Sequence, residues 1–138
     1  MSFKIEQKDN FNIITLTIDA FGGAEFTAFT KFLEENNSLG HNLVFDISKT
    51  KEMDSEAMHQ LTAFQEGSYN LNKSFVICCD NEDLYDDFQM LFPTDTMIIA
   101  PTREEAIDVV MMDILERELM GGEEDSDEAM NYFAPDDD

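Results

Sequence analysis

Basic side chains are scarce in this sequence. Eight lysines and arginines (8) stand against 31 aspartates and glutamates, a formal net charge of −23 over 138 residues. A surface this acidic repels phosphate backbones and anionic membranes, so neither nucleic acid nor membrane is expected as a partner. It is compatible with a basic protein partner. Long apolar runs are missing too: no stretch approaches the roughly 18 apolar residues of a membrane span. The opening residues, Met1 to Glu6, lack the apolar stretch of a signal peptide, and a cytoplasmic location is expected. Cysteine is limited to the adjacent pair Cys78-Cys79. Neighbours in a strand point to opposite faces, so this pair is poorly placed for a bridge and is expected as two buried free thiols in a reducing compartment.

Chemistry-bearing motifs are equally sparse. Gly22-Gly23 and Gly121-Gly122 precede no Lys-Ser/Thr pair and so make no phosphate loop. His41 and His59 have no metal-ligand spacing and no Cys/His cluster joins them. No nucleophile stands with a partner base. The sequence therefore predicts a non-enzymatic protein without cofactor, metal or small-molecule substrate.

What is present is a core. With 43% hydrophobic residues, the chain is long enough for one packed domain, expected over residues 1–120, and an acidic, disordered tail over 121–138. Lys4–Gln7 and Asn12–Ile18 flank a turn-rich connection and read as an opening hairpin, the second strand rich in β-branched residues. After Gly22-Gly23 breaks that pattern, Phe26, Phe29, Phe32 and Leu33 recur at helical spacing. Ser74 to Cys79 is a continuous apolar strand. Asp80 and Asn81 are candidate caps for a helix carrying Leu84, Phe88 and Leu91, closed by Pro93, and Met97 to Ala100 is a further strand. Thr102-Arg103-Glu104-Glu105 fits a capping box. The helix it opens carries Ala106, Ile107, Val110, Met111, Ile114 and Leu115 on its apolar face and is expected to stop at Gly121-Gly122.

The organising stretch is Asn42 to Met58. Leu43-Val44-Phe45-Asp46-Ile47 fills consecutive positions with apolar residues and reads as a parallel strand buried on both faces. A polar loop, Ser48 to Glu52, leads to a helix whose apolar face is Ala57, Met58, Leu61 and Phe64. This order places the N–H groups of Ser55, Glu56 and Ala57 at an exposed helix tip, which favours negative charge. Asp46, at the end of its strand, reads as a carboxylate satisfying loop N–H groups. After the hairpin, each strand is followed by a helix. The expected architecture is α/β, a mixed four- to five-stranded sheet with about four helices packed on it.

These residues resemble the STAS family, the sulfate-transporter and anti-sigma-factor-antagonist domain. Leu43 to Ser48 looks like the family's apolar strand ending in Asp-Leu-Ser, and Asp54-Ser55 like the Asp-Ser that opens its switch helix. Ser74 to Cys79, Leu91-Phe92-Pro93 with Met97-Ile98-Ile99, and Thr102 to Ala106 continue the likeness, which covers about Ile13 to Leu115. The resemblance implies a small bacterial regulatory module that binds a protein partner, an anti-sigma factor with serine-kinase activity. In such antagonists the kinase phosphorylates the second Ser of Asp-Ser-Ser-Gly. Here that position is Glu56 and the Gly position is Ala57, so the ordinary switch lacks its hydroxyl.

Glu56 carries two readings at this point. A carboxylate in a first helical turn is stabilising in its own right by about 0.3–1 kcal/mol. Alternatively, it supplies a permanent charge where the family adds a phosphate, with one charge in place of nearly two. Ser55 is expected to serve as a cap or first-turn group and not as a phosphoacceptor. The expected partner face comprises Asp54, Ser55, Glu56, Met58 and His59 with the loop Lys49 to Met53. An alternative is a structural or accessory subunit of a transport or scaffold complex, in which the acidic tail or the helix faces matter more than this tip.

Overall fold

A computed structural model describes the backbone of residues 2–92 and 98–124 and the side chains through Met120. In chain order the elements are β1 (Phe3–Gln7), β2 (Asn12–Leu16), β3 (Ala20–Phe21), α1 (Gly23–Glu35), β4 (Leu43–Asp46), β5 (Glu52–Met53), α2 (Ser55–Asn70), β6 (Phe75–Cys78), α3 (Glu82–Leu91), β7 (Ile99–Ala100) and α4 (Arg103–Glu124). Five strands form one sheet in the order β1-β2-β4-β6-β7. β1 runs antiparallel to β2, and the remaining pairings are parallel, so the sheet is mixed.

Alternation along the strands divides the core. Phe45 of β4, Phe75 and Ile77 of β6, and Ile14 and Leu16 of β2 point to one face, where Phe29, Leu33, Leu61, Leu84 and Phe88 of α1, α2 and α3 pack on them. The Phe29 and Phe45 rings lie 4.4 Å apart between centroids. Val44, Val76 and Ile13 point to the other face, covered by Ala106 and Val110 of α4. Both faces of β4 and β6 are therefore buried, which is why their sequences are apolar at every position except Asp46, the last residue of β4. The two thiols are free and buried on opposite sides, Cys78 toward α4 and Cys79 toward the larger core.

Three expectations need correction. The segment before α2 is not wholly loop: Glu52–Met53 pairs in parallel with Ala20–Phe21 as a separate two-stranded sheet. Helix α4 does not stop at Gly121-Gly122 but continues to Glu124. Finally, Met111 and Leu115 are exposed, because the inner face of α4 is rotated to present Ala106, Val110 and two charged residues instead. The expected disorder of the tail lies, for 125–138, outside the described residues.

Candidate functional site

The C-terminal ends of the parallel strands and the N-termini of the helices that follow them gather at one edge of the sheet. At its centre is the start of α2. Asp54, not Ser55, is the N-cap: its Oδ1 accepts a hydrogen bond from the Ala57 N–H at 2.8 Å. Asp stabilises this position because its carboxylate satisfies a donor that has no partner in the first turn. The anion preference of the tip is thus met from within the chain.

The preceding loop is fixed by its own hydrogen bonds. The buried Thr50 donates from Oγ1 to the Ile18 carbonyl at 2.8 Å, and the N–H groups of Lys51 and Glu52 donate to the Asp19 carbonyl at 2.8 and 3.0 Å. Asn81, which caps α3, also donates from Nδ2 to the Thr50 carbonyl at 3.1 Å. These bonds hold the N-terminus of α2 beside that of α1.

That juxtaposition gives Gly22-Gly23 a role the sequence alone did not show. A Cβ on Gly23 would stand 3.0 Å from the Glu56 carboxyl carbon, and one on Gly22 would stand 3.0 Å from Asp54 Oδ2. The Gly22 N–H donates to Glu25 Oε1 at 2.9 Å. The bare backbone of the glycine pair leaves room for Asp54 and Glu56 against the first turn of α1. Their mutual repulsion is offset by the positive ends of two helices.

The other expected site residues divide by exposure. Ser55 and His59 are exposed, and the His59 ring meets Phe92 edge-on with centroids 5.1 Å apart. Met58 is only 4% exposed and belongs to the core. Its remaining surface forms the floor of an open groove of about 390 Å³ lined also by Met53, Ser55, Asp87, Met90 and Leu91. Met90, on its rim, is 87% exposed. Unbranched, polarisable methionines adapt to varied partner surfaces. α3's contribution to this groove was missed because helical spacing assigned Leu91 to the core.

Asp46 accepts from the Ser48 N–H at 3.0 Å, as read from the sequence, but its chief partner is Arg103 at the start of α4. Arg103 Nη2 and Nε donate to Asp46 Oδ2 at 2.7 and 3.1 Å, Nη2 also to Thr15 Oγ1, and Nη1 to Glu6 Oε2, both at 3.1 Å. Burial raises the Asp46 carboxyl, and the hydrogen bonds from Arg103 and Ser48 outweigh it, leaving the group below its ordinary range. Such a carboxylate is a structural anion. The described residues contain no group of three or more His, Cys, Asp or Glu side chains able to hold a metal ion, and no helix long and apolar enough to cross a membrane.

No protein-family model and no curated protein sequence matches this chain. Solved structures do match it. A Thermotoga maritima protein described as an anti-sigma factor antagonist superposes with a TM-score of 0.63 at 15% identity, over 79% of this chain and 94% of its own. A serine-to-glutamate variant of RsbS from Moorella thermoacetica gives 0.63 at 16% identity, over 85% of this chain and 99% of its own. The murine anion transporter Slc26a9 gives 0.60 at 12% identity over 78% of this chain, which spans only 18% of the transporter's length. The chain has the STAS-domain fold.

Proposed function

We propose that this chain is a non-enzymatic regulatory module that binds a protein partner through the tip of α2, as anti-sigma factor antagonists do, with a built-in negative charge in place of a phosphorylation switch. The observation that carries the reading is Glu56. It stands in the first turn of α2, over Gly23 of α1, at the position where the STAS resemblance puts the phosphorylated serine. The groove beside it, with Met53, Met90 and Leu91, supplies apolar contact area next to the charge. The likeness to an anti-sigma factor antagonist and to RsbS supports a partner of that kind, an anti-sigma factor or serine kinase in the cytoplasm. In this reading Glu56 holds the chain in the weak-binding state.

The test begins with co-purification and mass spectrometry of the partner, followed by calorimetry at two salt concentrations. Glu56→Gln keeps the shape and deletes the charge; Glu56→Ser also restores a hydroxyl. Either is expected to change affinity by about 1–2 kcal/mol. Binding unchanged in both variants removes the charge from the mechanism. Ser55, exposed and flanked by Asp54 and Glu56, is expected to stay unmodified, since a phosphate there would repel both carboxylates. Stoichiometric phosphate on Ser55 from native cells overturns that part.

A further inference from the structure

Helix α4 reverses the usual polarity of a surface helix in its second half. Beside the partly buried Ile114, its inner side there carries charge: Asp113 Oδ2 accepts from Tyr69 Oη at 2.6 Å and from Ser74 Oγ at 2.8 Å. Arg117 Nη2 donates to Ser74 Oγ at 3.1 Å and Nη1 to Asn42 Oδ1 at 3.3 Å, while its guanidinium lies 5.7 Å from the Tyr69 ring centre. The outer side is apolar. Met112, Leu115 and Leu119 recur at i, i+3 and i+7 and are 64%, 55% and 65% exposed. A helix packed on a sheet normally turns its charged residues to water and its apolar stripe inward. Here the apolar stripe points away from the sheet, and among the described residues no hydrogen bond or core contact uses it.

Charge identifies what would cover it. Glu116 and Glu118 flank the stripe, and Asp108 lies at its N-terminal end, all exposed. The two basic residues of α4, Arg103 and Arg117, are already engaged inward. A second copy of this chain would bring the same acids face to face, at −23 on each molecule. The segment after α4, residues 125–138, holds six acids and no base, so it is repelled as well. The geometry points to an amphipathic helix of another protein, carrying leucine-like residues along one stripe and lysine or arginine on both sides, lying along α4 from Asp108 to Leu119. This mode of binding reads anchors at i, i+3 and i+7, with the flanking charges setting partner choice. The surface is distinct from the α2 tip and does not depend on Glu56.

The experiment uses the full chain labelled for nuclear magnetic resonance and a synthetic leucine–lysine peptide patterned at the helical period. A serine–lysine peptide of equal charge serves as control. Amide shifts are expected to concentrate between Asp108 and Leu119. Leu115→Ser combined with Leu119→Ser is expected to weaken the leucine–lysine peptide about tenfold or more without altering the fold, because both side chains point to solvent. The control peptide should bind at least about tenfold more weakly than the leucine–lysine peptide. Equal binding of the two peptides, or no effect of the double variant, would mean diffuse charge attraction and overturns the proposal. Sedimentation showing a dimer of the parent chain that the double variant abolishes would assign the stripe to a second copy and overturn it equally. So would a gain in peptide affinity on removing 125–138 that is absent from the double variant, since the tail would then be the occupant.

Discussion

Helices α2 and α4 cover opposite faces of the same strands by different means. α2 is held by apolar contact: Ala57 and Leu61 are fully buried and Phe64 packs edge-on to Phe75, with centroids 4.9 Å apart. Its one buried polar side chain, Gln65, is satisfied by the Phe75 and Ile98 carbonyls and the Ile98 N–H at 2.7 to 2.9 Å. α4 is clamped at two polar points, Arg103 on Asp46 and the Asp113–Arg117 group on Tyr69, Ser74 and Asn42, with Ala106 and Val110 between them. Apolar burial is non-directional and tolerates small shifts, whereas the clamps fix where α4 lies and which side it shows to water. Polar anchoring inward is what frees the apolar stripe outward.

Truncation should expose this difference most strongly. Leu61→Ala on α2 is expected to cost about 2–5 kcal/mol in urea unfolding, since a fully buried leucine leaves a cavity among aromatic rings. Leu115→Ala on α4, at an exposed position, should stay within about 0.5 kcal/mol. Comparable losses at both positions would mean that Leu115 is covered in the folded protein and would end the contrast.

The clamp at the start of α4 gives the next effect. Asp46→Asn should cost about 1.5–3 kcal/mol, toward the lower end because Arg103 is partly exposed and screened. Asp46 titrates below its ordinary 3.8, so its stabilisation is complete above the unfolded-state value and is lost as pH falls through the folded one. The stability gap between parent and Asp46→Asn should therefore hold from neutrality down to about pH 4 and close below it. A gap that is unchanged in more acid solution would show that the hydrogen-bonded shape of Asp46, and not its charge, anchors α4.

The two cysteines report on the two faces separately. Burial and the nearby Asp46 charge push Cys78 up to about 12, and burial with the Asp80 and Asp46 charges pushes Cys79 up to about 11, so neither thiol reacts readily in place. Labelling must await local opening. Lifting α4 alone uncovers Cys78, while Cys79 requires disruption of the larger core. In single-cysteine variants at neutral pH, Cys78 should label faster than Cys79, and Asp46→Asn should accelerate Cys78 selectively. Equal rates at both sites would mean that the domain opens only as a unit.

The sequence made the strands legible because β4 and β6 carry consecutive apolar residues and β2 is rich in β-branched ones, and the α2 start legible because Asp54 precedes a helical pattern. It did not show the Ala20–Phe21 and Glu52–Met53 pairing: two residues on each side carry no periodicity. Nor did it show the side of α4 that faces the sheet. Met111 and Leu115 have helical spacing, but Asp113 and Arg117 found partners more than forty residues away, and periodicity cannot weigh such contacts. The Asp46–Arg103 pair, 57 residues apart, was hidden for the same reason. At the site, the identities of Asp54 and Glu56 were visible, while their packing on Gly22-Gly23 depended on how α1 and α2 meet.

That last contact supplies the smallest and most diagnostic effect. An alanine in the first turn of a helix is favoured over glycine by up to about 1 kcal/mol. Gly23→Ala in the parent chain, however, places its methyl 3.0 Å from the Glu56 carboxylate, which must give by a few tenths of an ångström beside the two helix ends that stabilise it. The gain and the loss are of similar size, so the single variant should be nearly neutral. In a Glu56→Ser background the carboxylate is gone, and the same Gly23→Ala change should stabilise by about 0.5–1 kcal/mol. A double-mutant cycle in urea reads the coupling directly, and a coupling above about 0.5 kcal/mol exceeds the additivity error for independent sites. Because the cycle needs no partner, it separates the structural role of Glu56 from any role in binding. Strict additivity would mean that Glu56 does not rest on α1, leaving its charge free to face a partner.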